Sequence, residues 1–253
     1  MTTYTKSKLF LAAALSGLLI ADLWYDIAWY LYLLPFLLFV IFLVVGTTTL
    51  SANVFTKSYT QPQFSDNKVA ITFDDGPDQN TIKVLETLKQ HGVKATFFCI
   101  GHKIERHPEI MKLIVEGGHA VGNHSYSHSN YFPLFSKKKL RIELQKTSAI
   151  IEDYTGQVCQ LFRPPFGVIN PKVAQAAIDT DHKIIGWNLR SFDTSRDYKK
   201  VLKKVKNRLK SGTVLLLHDD RDNTNKVLDE ILLHGKSKGF TFVTVDEIFK
   251  INE

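Results

Sequence analysis

The stretch VAITFDDGP, residues 69–77, decides the fold, because a short apolar run ends there directly in two acids and a turn. Its first five residues are mostly β-branched or aromatic, which predicts a buried strand, and Gly76-Pro77 ends that strand. Similar runs recur along the chain. The strand candidates are Val69–Phe73, Thr96–Ile100, Ala120–Gly122, Leu161–Arg163, Ile184–Trp187, Thr213–Leu217 and Phe240–Val243.

Amphipathic stretches lie between these runs and predict helices. They cover Asn80–His91, Glu105–Glu116, Lys137–Tyr154, Pro171–Thr180, Tyr198–Leu209 and Asn225–Lys238. Alternating strands and helices are typical of the α/β class, with a parallel sheet and crossover helices. Seven strand candidates fit an incomplete barrel better than an eightfold one, so we expect a distorted (β/α)7-type barrel.

Residues 1–50 predict a transmembrane region. Between positions 9 and 56 the only charged residues are Asp22 and Asp26. A single span needs about 20 apolar residues, and this run is long enough for two. We therefore expect two helical spans, at about 9–22 and 27–47, joined at Asp22–Asp26.

The remaining chain divides into a linker and a basic domain. Residues 51–67 are polar and non-periodic and predict a linker, whereas 68–253 carry the strand and helix pattern. The chain has 32 Lys and Arg against 25 Asp and Glu, and the three lysines and three aspartates of residues 1–67 cancel, so the net charge of +7 lies on 68–253. A basic domain suits an anionic membrane surface or a phosphorylated substrate. No helix-turn-helix, zinc-finger or RNA-binding signature is present, which argues against nucleic acid as a partner.

Titratable side chains follow four of the predicted strands. In a parallel sheet the carboxyl ends of the strands share one edge, where catalytic groups gather. The residues at these ends are Asp74 and Asp75, His124 and His128, Arg163, and His218.

His124 and His128 are spaced so that one helical turn would bring both imidazoles to one divalent ion. Such a pair alone is more often structural than functional. Asp75 would add a third ligand, and two imidazoles with one carboxylate leave a position open, as a hydrolytic zinc site requires.

Asp74 and Asp75 are adjacent at a strand end, so their side chains point to opposite sides. One acid can therefore bind a metal while the other faces the attacking water. Arg163 would hold Asp74 ionised as a general base, and His218 would remain as a proton donor. The alternatives are that Asp-Asp-Gly-Pro only forms a turn, and that His218 is only a structural histidine, hydrogen-bonded beneath a loop.

Four motifs resemble those of the polysaccharide deacetylases, the NodB-homology domain of carbohydrate esterase family four. They occur in the family's order and are Thr72-Phe-Asp-Asp-Gly-Pro77, His124-Ser-Tyr-Ser-His128, Arg163-Pro-Pro-Phe-Gly167 and Leu216-Leu-His218. The resemblance covers residues 68 to about 248 and excludes the apolar region. It implies a distorted (β/α) barrel that removes N- or O-acetyl groups from sugars such as N-acetylglucosamine.

The resemblance also implies a role for each matching residue. Asp74 would be the base and His218 the acid. Arg163 would orient the base, Leu216 would line the acetyl pocket, and the backbone N–H near Phe166 would help to stabilise the oxyanion. The ligands of the metal would be Asp75, His124 and His128.

One motif departs from the family pattern. Where the family has Asp-Ser-x-Asp-Trp, this chain has Arg190-Ser-Phe-Asp193-Thr. The resemblance implies that the first acid of this motif pairs with the histidine that acts as general acid. With Arg190 at that position, the carboxylate that would raise the pKa of His218 is missing. Asp193 is the candidate to replace it. Trp187, just upstream, is interpreted as core or pocket wall.

The sequence therefore predicts a metal-dependent deacetylase of an acetylated cell-envelope glycan, anchored to membrane lipid. Zn²⁺ is the expected ion, with Co²⁺, Ni²⁺ or Mn²⁺ as alternatives. Two other functions stay open: a deacetylase or deformylase of a polyprenyl-phosphate-linked amino sugar, and an inactive membrane-anchored carbohydrate-binding module.

The side of the membrane stays open as well. Two spans would return residues 51–253 to the side of Met1, and Lys6 and Lys8 favour the cytoplasm for that terminus. The unpaired Cys99 and Cys159 fit that compartment. A signal peptide or single anchor followed by one span is the alternative, and a wall polymer as substrate would require the domain outside.

Overall fold

The structure is a computed structural model that describes residues 2–63, 65–194 and 197–251. Six residues of the predicted transmembrane region, linker and domain lie outside the described residues: Met1, Phe64, Ser195, Arg196, Asn252 and Glu253. The strands are β1 Ser58–Tyr59, β2 Lys68–Asp74, β3 Thr96–Cys99, β4 Ala120–Asn123, β5 Leu161–Phe162, β6 Lys183–Ile185, β7 Leu189–Arg190, β8 Val214–His218 and β9 Thr241–Val243. The helices are α1 Thr3–Tyr25, α2 Leu33–Thr48, α3 Gln79–His91, α4 Gly101–Arg106, α5 Pro108–Glu116, α6 Lys137–Thr155, α7 Pro171–Asp179, α8 Tyr198–Arg208, α9 Thr224–Ser237 and α10 Val245–Phe249.

The strands form one curled parallel sheet in the order β1-β6-β5-β4-β3-β2-β8-β7, and β9 pairs with the start of β2. Within the described chain β1 and β7 end this path without pairing with each other, so the sheet is a half-barrel. The expectation of a distorted, incomplete α/β barrel is confirmed. Two strands, β1 and β7, were not predicted, because each is only two residues long and makes no apolar run.

β2 lies at the centre of the sheet and positions the site. Helices cover the sheet, and from Val69 to Asp74 every residue of β2 is buried, which explains why the sequence reads as a continuous apolar run. The rings of Phe73 and Phe97 stack at 4.9 Å between centroids and tie β2 to β3. The central strand therefore holds its carboxyl end, where the acids begin, in a rigid core.

The helix expected at Glu105–Glu116 is wrong in its extent. The structure has two helices there, α4 and α5, which meet at His107. Pro108 is the cause, since a residue before proline avoids the helical region, whereas proline itself suits the first turn of the next helix.

The N-terminal region forms two antiparallel helices, Thr3–Tyr25 and Trp29–Thr48, each long and apolar enough to cross a membrane. The first is about 34 Å long at 1.5 Å per residue, slightly more than the hydrocarbon thickness of a bilayer. Neither helix packs its length against the domain, since in both almost no residue is buried. The two helices join within the expected segment Asp22–Asp26, but the first helix extends to Tyr25 and the chain reverses at Asp26, which has φ 49°. The Asp22 carboxylate accepts the Ile27 N–H beyond this reversal.

The segment expected as a linker, residues 51–67, is partly built into the domain. Val54 and Phe55 are buried in the core, and Ser58–Tyr59 pairs with Ile184 and Ile185 of β6. The polar composition concealed this role because only two residues form the strand.

Candidate functional site

The carboxyl ends of the strands bring together the polar residues that the sequence singled out. Asp74 at the end of β2 and His218 at the end of β8 are register partners on neighbouring strands. Asn123 at the end of β4 pairs with Phe162 of β5, which places the loop that begins at His124 beside Arg163.

Asp75, His124 and His128 form the one cluster of metal-ligating side chains found in the described residues. One carboxylate oxygen and two imidazole nitrogens all lie within 4.8 Å of one another. Asp75 Oδ1 is 3.5 Å from His124 Nε2 and 3.3 Å from His128 Nε2. Three donors at this separation surround a space suited to one ion.

The protonation of these groups fits a metal. His124 Nδ1 lies 2.7 Å from the Arg163 carbonyl oxygen, so it carries the proton and leaves Nε2 as an acceptor. His128 Nε2 is buried and has no hydrogen-bond partner among the described residues. Burial and the neighbouring His124 lower the pKa of His128 to about 4, so its ring is neutral at pH 7.

The third donor is ionised. Burial opposes the charge of Asp75, yet the hydrogen bond and charge of His124, together with His128 and His218, hold the pKa of Asp75 well below its ordinary value. Two imidazoles and one carboxylate are a donor set that Zn²⁺ accepts. The residues present therefore fit the expected ion.

The loops that carry the three donors are held in unusual backbone conformations. Asp75, Ser125 and His128 have φ values of 74°, 63° and 46°. A buried carboxylate supports one of these loops, because Glu143 Oε2 on α6 accepts the N–H groups of Tyr126 and Ser127. Left-handed residues outside glycine cost free energy and cluster at functional sites.

Asp74 forms a buried ion pair with Arg163. Arg163 Nη1 donates to Asp74 Oδ1 at 2.7 Å, and the guanidinium is fully buried. Its other donors reach the carbonyl oxygens of Ile185 and Gly186 and the hydroxyl of Thr72. These four hydrogen bonds fix the guanidinium, and the second oxygen of Asp74, Oδ2, is turned towards His124 at 3.9 Å.

His218 pairs with Asp193. Asp193 Oδ1 accepts from His218 Nδ1 at 2.8 Å, and Oδ2 accepts the backbone N–H of the same histidine at 2.6 Å. Burial opposes protonation of the ring, but the hydrogen bond and charge of Asp193, with Asp74 and Asp75, raise the pKa of His218 to about 9. In the protonated ring both nitrogens carry a proton: Nδ1–H donates to Asp193, and the N–H of Nε2 is left without that partner.

Arg190 occupies the position at which the motif resemblance implies the acid that pairs with His218, yet His218 still has a carboxylate partner. Arg190 is exposed, and its guanidinium lies 5.0 Å from the centroid of the Phe192 ring. Asp193 provides the carboxylate instead, three residues further along the chain. The segment after β7 therefore keeps an acid against the histidine.

Asp193→Asn is expected to shift the basic limb of the pH–rate profile to lower pH by at least about one unit, because the amide keeps the shape but loses the charge that favours imidazolium. The other acids that face His218 are Asp74, Asp75 and Asp220, and all remain in this variant. Asp153→Asn, on the exposed face of α6, is the control with the same change in net charge. An unmoved basic limb would remove Asp193 from this role.

Phe166, Trp187 and Leu216, the three residues expected to bind substrate, differ in their surroundings. The Phe166 ring is half-exposed and lies 4.8 Å from the His128 ring. Trp187 is partly buried beside the Arg163 guanidinium, at 5.6 Å from ring to carbon. Leu216 is buried on β8, two residues before His218.

Gly167→Ala is expected to destabilise the fold by about 2–4 kcal/mol, from left-handed strain plus overpacking. Gly167 has φ 67°, and a methyl group there would overlap Trp187. Gly156→Ala is the matched control, since its φ is 66° with no atom within 4 Å of the added carbon. Urea unfolding should show the larger loss for Gly167→Ala; equal losses would exclude the contact with Trp187 as the cause.

Sequence reasoning missed two residues that support the site. Lys103 Nζ donates to the backbone carbonyl of Asp75 at 2.6 Å and lies near Asp220. Glu143 supports the histidine loop, and its signal was present: it is an acid on the buried stripe of α6, between Leu140 and Leu144.

Comparisons with known proteins agree with this geometry. A family model for polysaccharide deacetylases matches residues 61–185. A solved peptidoglycan N-acetylglucosamine deacetylase, in complex with 4-naphthalen-1-yl-N-oxidanyl-benzamide, is 33% identical, with a TM-score of 0.72 over 76% of this chain and 92% of that one. The chain belongs to the polysaccharide deacetylase family.

Two further relatives bear on what a polysaccharide deacetylase of this kind does. The peptidoglycan-N-acetylglucosamine deacetylase of Listeria monocytogenes serotype 1/2a is 38% identical over 191 residues, which are 74% of this chain and 40% of that protein. This chain thus spans less than half of that relative. A family-four pseudoenzyme from Bacillus anthracis is 30% identical, with a TM-score of 0.69 over 76% of this chain and 68% of that one. The solved relatives therefore include both a deacetylase and a pseudoenzyme.

Proposed function

We propose that this protein is a metal-dependent hydrolase that removes acetyl groups from N-acetylated sugars of a cell-envelope glycan. The observation that carries the proposal is the meeting of three groups at one sheet edge: the cluster Asp75-His124-His128, the Asp74–Arg163 pair and the His218–Asp193 pair. Relatives named as peptidoglycan deacetylases support the substrate class.

Asp75, His124 and His128 would hold the metal, with Zn²⁺ the ion that this donor set favours. When bound, the ion polarises the acetamido carbonyl and makes water more acidic. The chain itself fixes the geometry, because the Arg163 carbonyl orients the His124 ring and Glu143 orients the loop that carries His128.

Asp74 would accept the proton from the attacking water. Its Oδ1 is occupied by Arg163, so Oδ2 is the oxygen left for this task. The ion pair with the buried guanidinium fixes the orientation of the carboxylate, so the base is preorganised in a site of low dielectric.

His218 would give a proton to the departing amine. Asp193 holds Nδ1, so Nε2 is the atom that faces the leaving group. A pKa of about 9 keeps the ring protonated at pH 7, as a general acid requires. The backbone N–H near Phe166 would bind the oxyanion of the tetrahedral intermediate, and buried Leu216 would contact the acetyl methyl.

An inactive carbohydrate-binding module is the alternative from another class, and the pseudoenzyme relative gives it weight. The presence of every ligand, base and acid position in this chain argues against it. A second enzyme candidate acts on the amino sugar of a polyprenyl-phosphate carrier, by deacetylation or deformylation. It is favoured by the two apolar helices that precede the domain.

We also propose that α1 and α2 anchor the protein in a membrane. Their length, composition and lack of buried residues support an anchor. Protease added to intact cells distinguishes the sides: digestion places the domain outside, and protection places it in the cytoplasm.

The function is tested by measuring acetate and free amine after incubation of the metal-loaded, full-length protein with chitooligosaccharides, peptidoglycan and lipid-linked amino sugars. An N-deacetylase yields both products in equal amounts, whereas an O-deacetylase yields acetate alone. The binding module yields neither.

A further inference from the structure

The apolar hairpin is fixed to the active-site end of the domain. Ile169 N–H donates to the Thr47 carbonyl of α2 at 3.0 Å, and Tyr4 N–H of α1 donates to the Val54 carbonyl at 3.0 Å. Ile169 lies only three residues after Phe166. The base of the hairpin is therefore hydrogen-bonded to the chain just after the loop beside the metal-ligating cluster.

A second set of contacts links the hairpin to the base. Leu50, just after α2, lies against Gly186, since a Cβ there would be 3.1 Å from Leu50 Cδ1. The Gly186 carbonyl accepts from Arg163 Nη2 at 2.9 Å, and Arg163 in turn donates to Asp74. Only Gly186 and Arg163 therefore lie between Leu50, at the end of the hairpin, and Asp74, the proposed base.

Exposed apolar side chains lie next to this junction. Tyr131 and Leu134, on the loop between His128 and α6, are 70% and 75% exposed. That loop is tied to the hairpin, because Asn170 Nδ2 donates to the Pro133 carbonyl and Asn170 follows Ile169 directly. Tyr131 and Leu134 thus flank Pro133, which is hydrogen-bonded to the residue that follows the hairpin contact at Ile169.

Lysines accompany these apolar residues. Lys6 and Lys8 are exposed on the first two turns of α1, at the end of the hairpin next to the domain, and Lys138 and Lys139 lie in the first turn of α6. Lys139 Nζ lies 3.6 Å above the ring of Phe135, which packs on the same core cluster as Tyr4. Apolar side chains mixed with lysines suit an anionic lipid surface.

We propose that this collar, which comprises Lys6, Lys8, Tyr131, Leu134, Lys138 and Lys139, rests on anionic headgroups and holds the catalytic site at the bilayer surface. The substrate would then be an N-acetylated sugar carried by a phosphate-bearing lipid, instead of a finished polymer remote from the membrane. This inference rests on the proposed function and on the anchoring of α1 and α2. The reason for the inference is that the hydrogen bonds between the domain and the hairpin would keep the catalytic site close to the bilayer surface.

The test compares one sugar in two forms. Full-length protein in phosphatidylglycerol-containing vesicles is given an N-acetylglucosamine oligomer free in solution, or the same oligomer attached through a diphosphate to a polyprenyl chain. We expect kcat/KM for the lipid-borne form to be at least about tenfold higher, because both partners are confined to one surface. Equal values would overturn the inference but leave the proposed function standing; no acetate from either form would overturn both.

Leu134→Asp places a charge in the collar and is expected to lower the ratio of lipid-borne to soluble kcat/KM by about fivefold, since a carboxylate is repelled by anionic lipid. Leu233→Asp is the matched control, because Leu233 is 52% exposed on α9, which packs on α3 and α8 instead of the hairpin. The same loss of ratio in both variants, or in neither, would contradict the collar.

A direct measurement of position complements the kinetics. Cys99 and Cys159 are buried, so Leu134→Cys and Leu233→Cys each add one accessible thiol for an environment-sensitive fluorophore. On protein in vesicles, the fluorophore at position 134 is expected to emit at a shorter wavelength than the same fluorophore in water. The fluorophore at position 233 is expected to emit as it does in water. An aqueous spectrum at position 134 would overturn the proposal.

Discussion

Asp74→Asn is expected to lower acetate release by about 10²-fold or more while the bound metal stays at the wild-type level, because the amide keeps the shape but cannot accept the proton. Metal analysis and acetate assays on the same preparation check both parts. Asp74 differs here from Asp75, whose carboxylate meets both imidazoles.

This substitution also leaves Arg163 as a buried charge without its partner, at a cost of about 3–5 kcal/mol. The double variant Asp74→Asn with Arg163→Met separates stability from catalysis, since it removes both charges. Stability should then recover in part, since the buried carbonyls of Ile185 and Gly186 lose their donor, while turnover does not recover. Loss of metal in Asp74→Asn as complete as in a ligand variant would show that Asp74 binds the ion and would refute the division of roles between the two acids.

His124→Ala is expected to weaken metal affinity and acetate release together, each by about 100-fold or more, since it removes one of three protein ligands. His128→Ala should behave alike, because its Nε2 has no other described partner. Equilibrium dialysis against a metal buffer gives the affinity.

His119→Ala is the control for these variants. His119 is a mostly buried histidine just before β4, at the opposite end of the sheet, and burial lowers its pKa to about 4. Its substitution should cost stability but not metal. Equal metal loss in His119→Ala and His124→Ala would mean that the ligand assignment is wrong.

The sequence predicted most of the fold because the signals were local and strong. The run ending at Phe73 is long, fully buried and followed by acids, so both the strand and the place of Asp74 and Asp75 could be read from the pattern. The spacing of His124 and His128 likewise indicated a shared ligand position, although the loop between them is not helical: Ser125 and His128 both have positive φ.

Other features depend on distant contacts and have no local signature. Asp193 reaches His218 only because the segment after β7 folds back over the end of β8, and the motif comparison assigned that place to position 190 instead. The bond between Ile169 and Thr47 joins residues about 120 positions apart, so no periodicity could reveal that the apolar hairpin meets the active-site edge. Pro108 indicated the break between α4 and α5 at His107, but the apolar periodicity of residues 105–116 favoured one continuous helix.

The central claim, that Asp75, His124 and His128 hold a metal used for amide hydrolysis, is tested most directly by one paired measurement: metal per chain, and acetate plus amine formed from an N-acetylglucosamine oligomer, before and after chelation. We predict one ion per chain, equal amounts of acetate and amine, loss of both on chelation and recovery when Zn²⁺ is restored. Undiminished hydrolysis by metal-free protein would contradict the claim, and so would a full metal site that releases no acetate from any acetylated sugar.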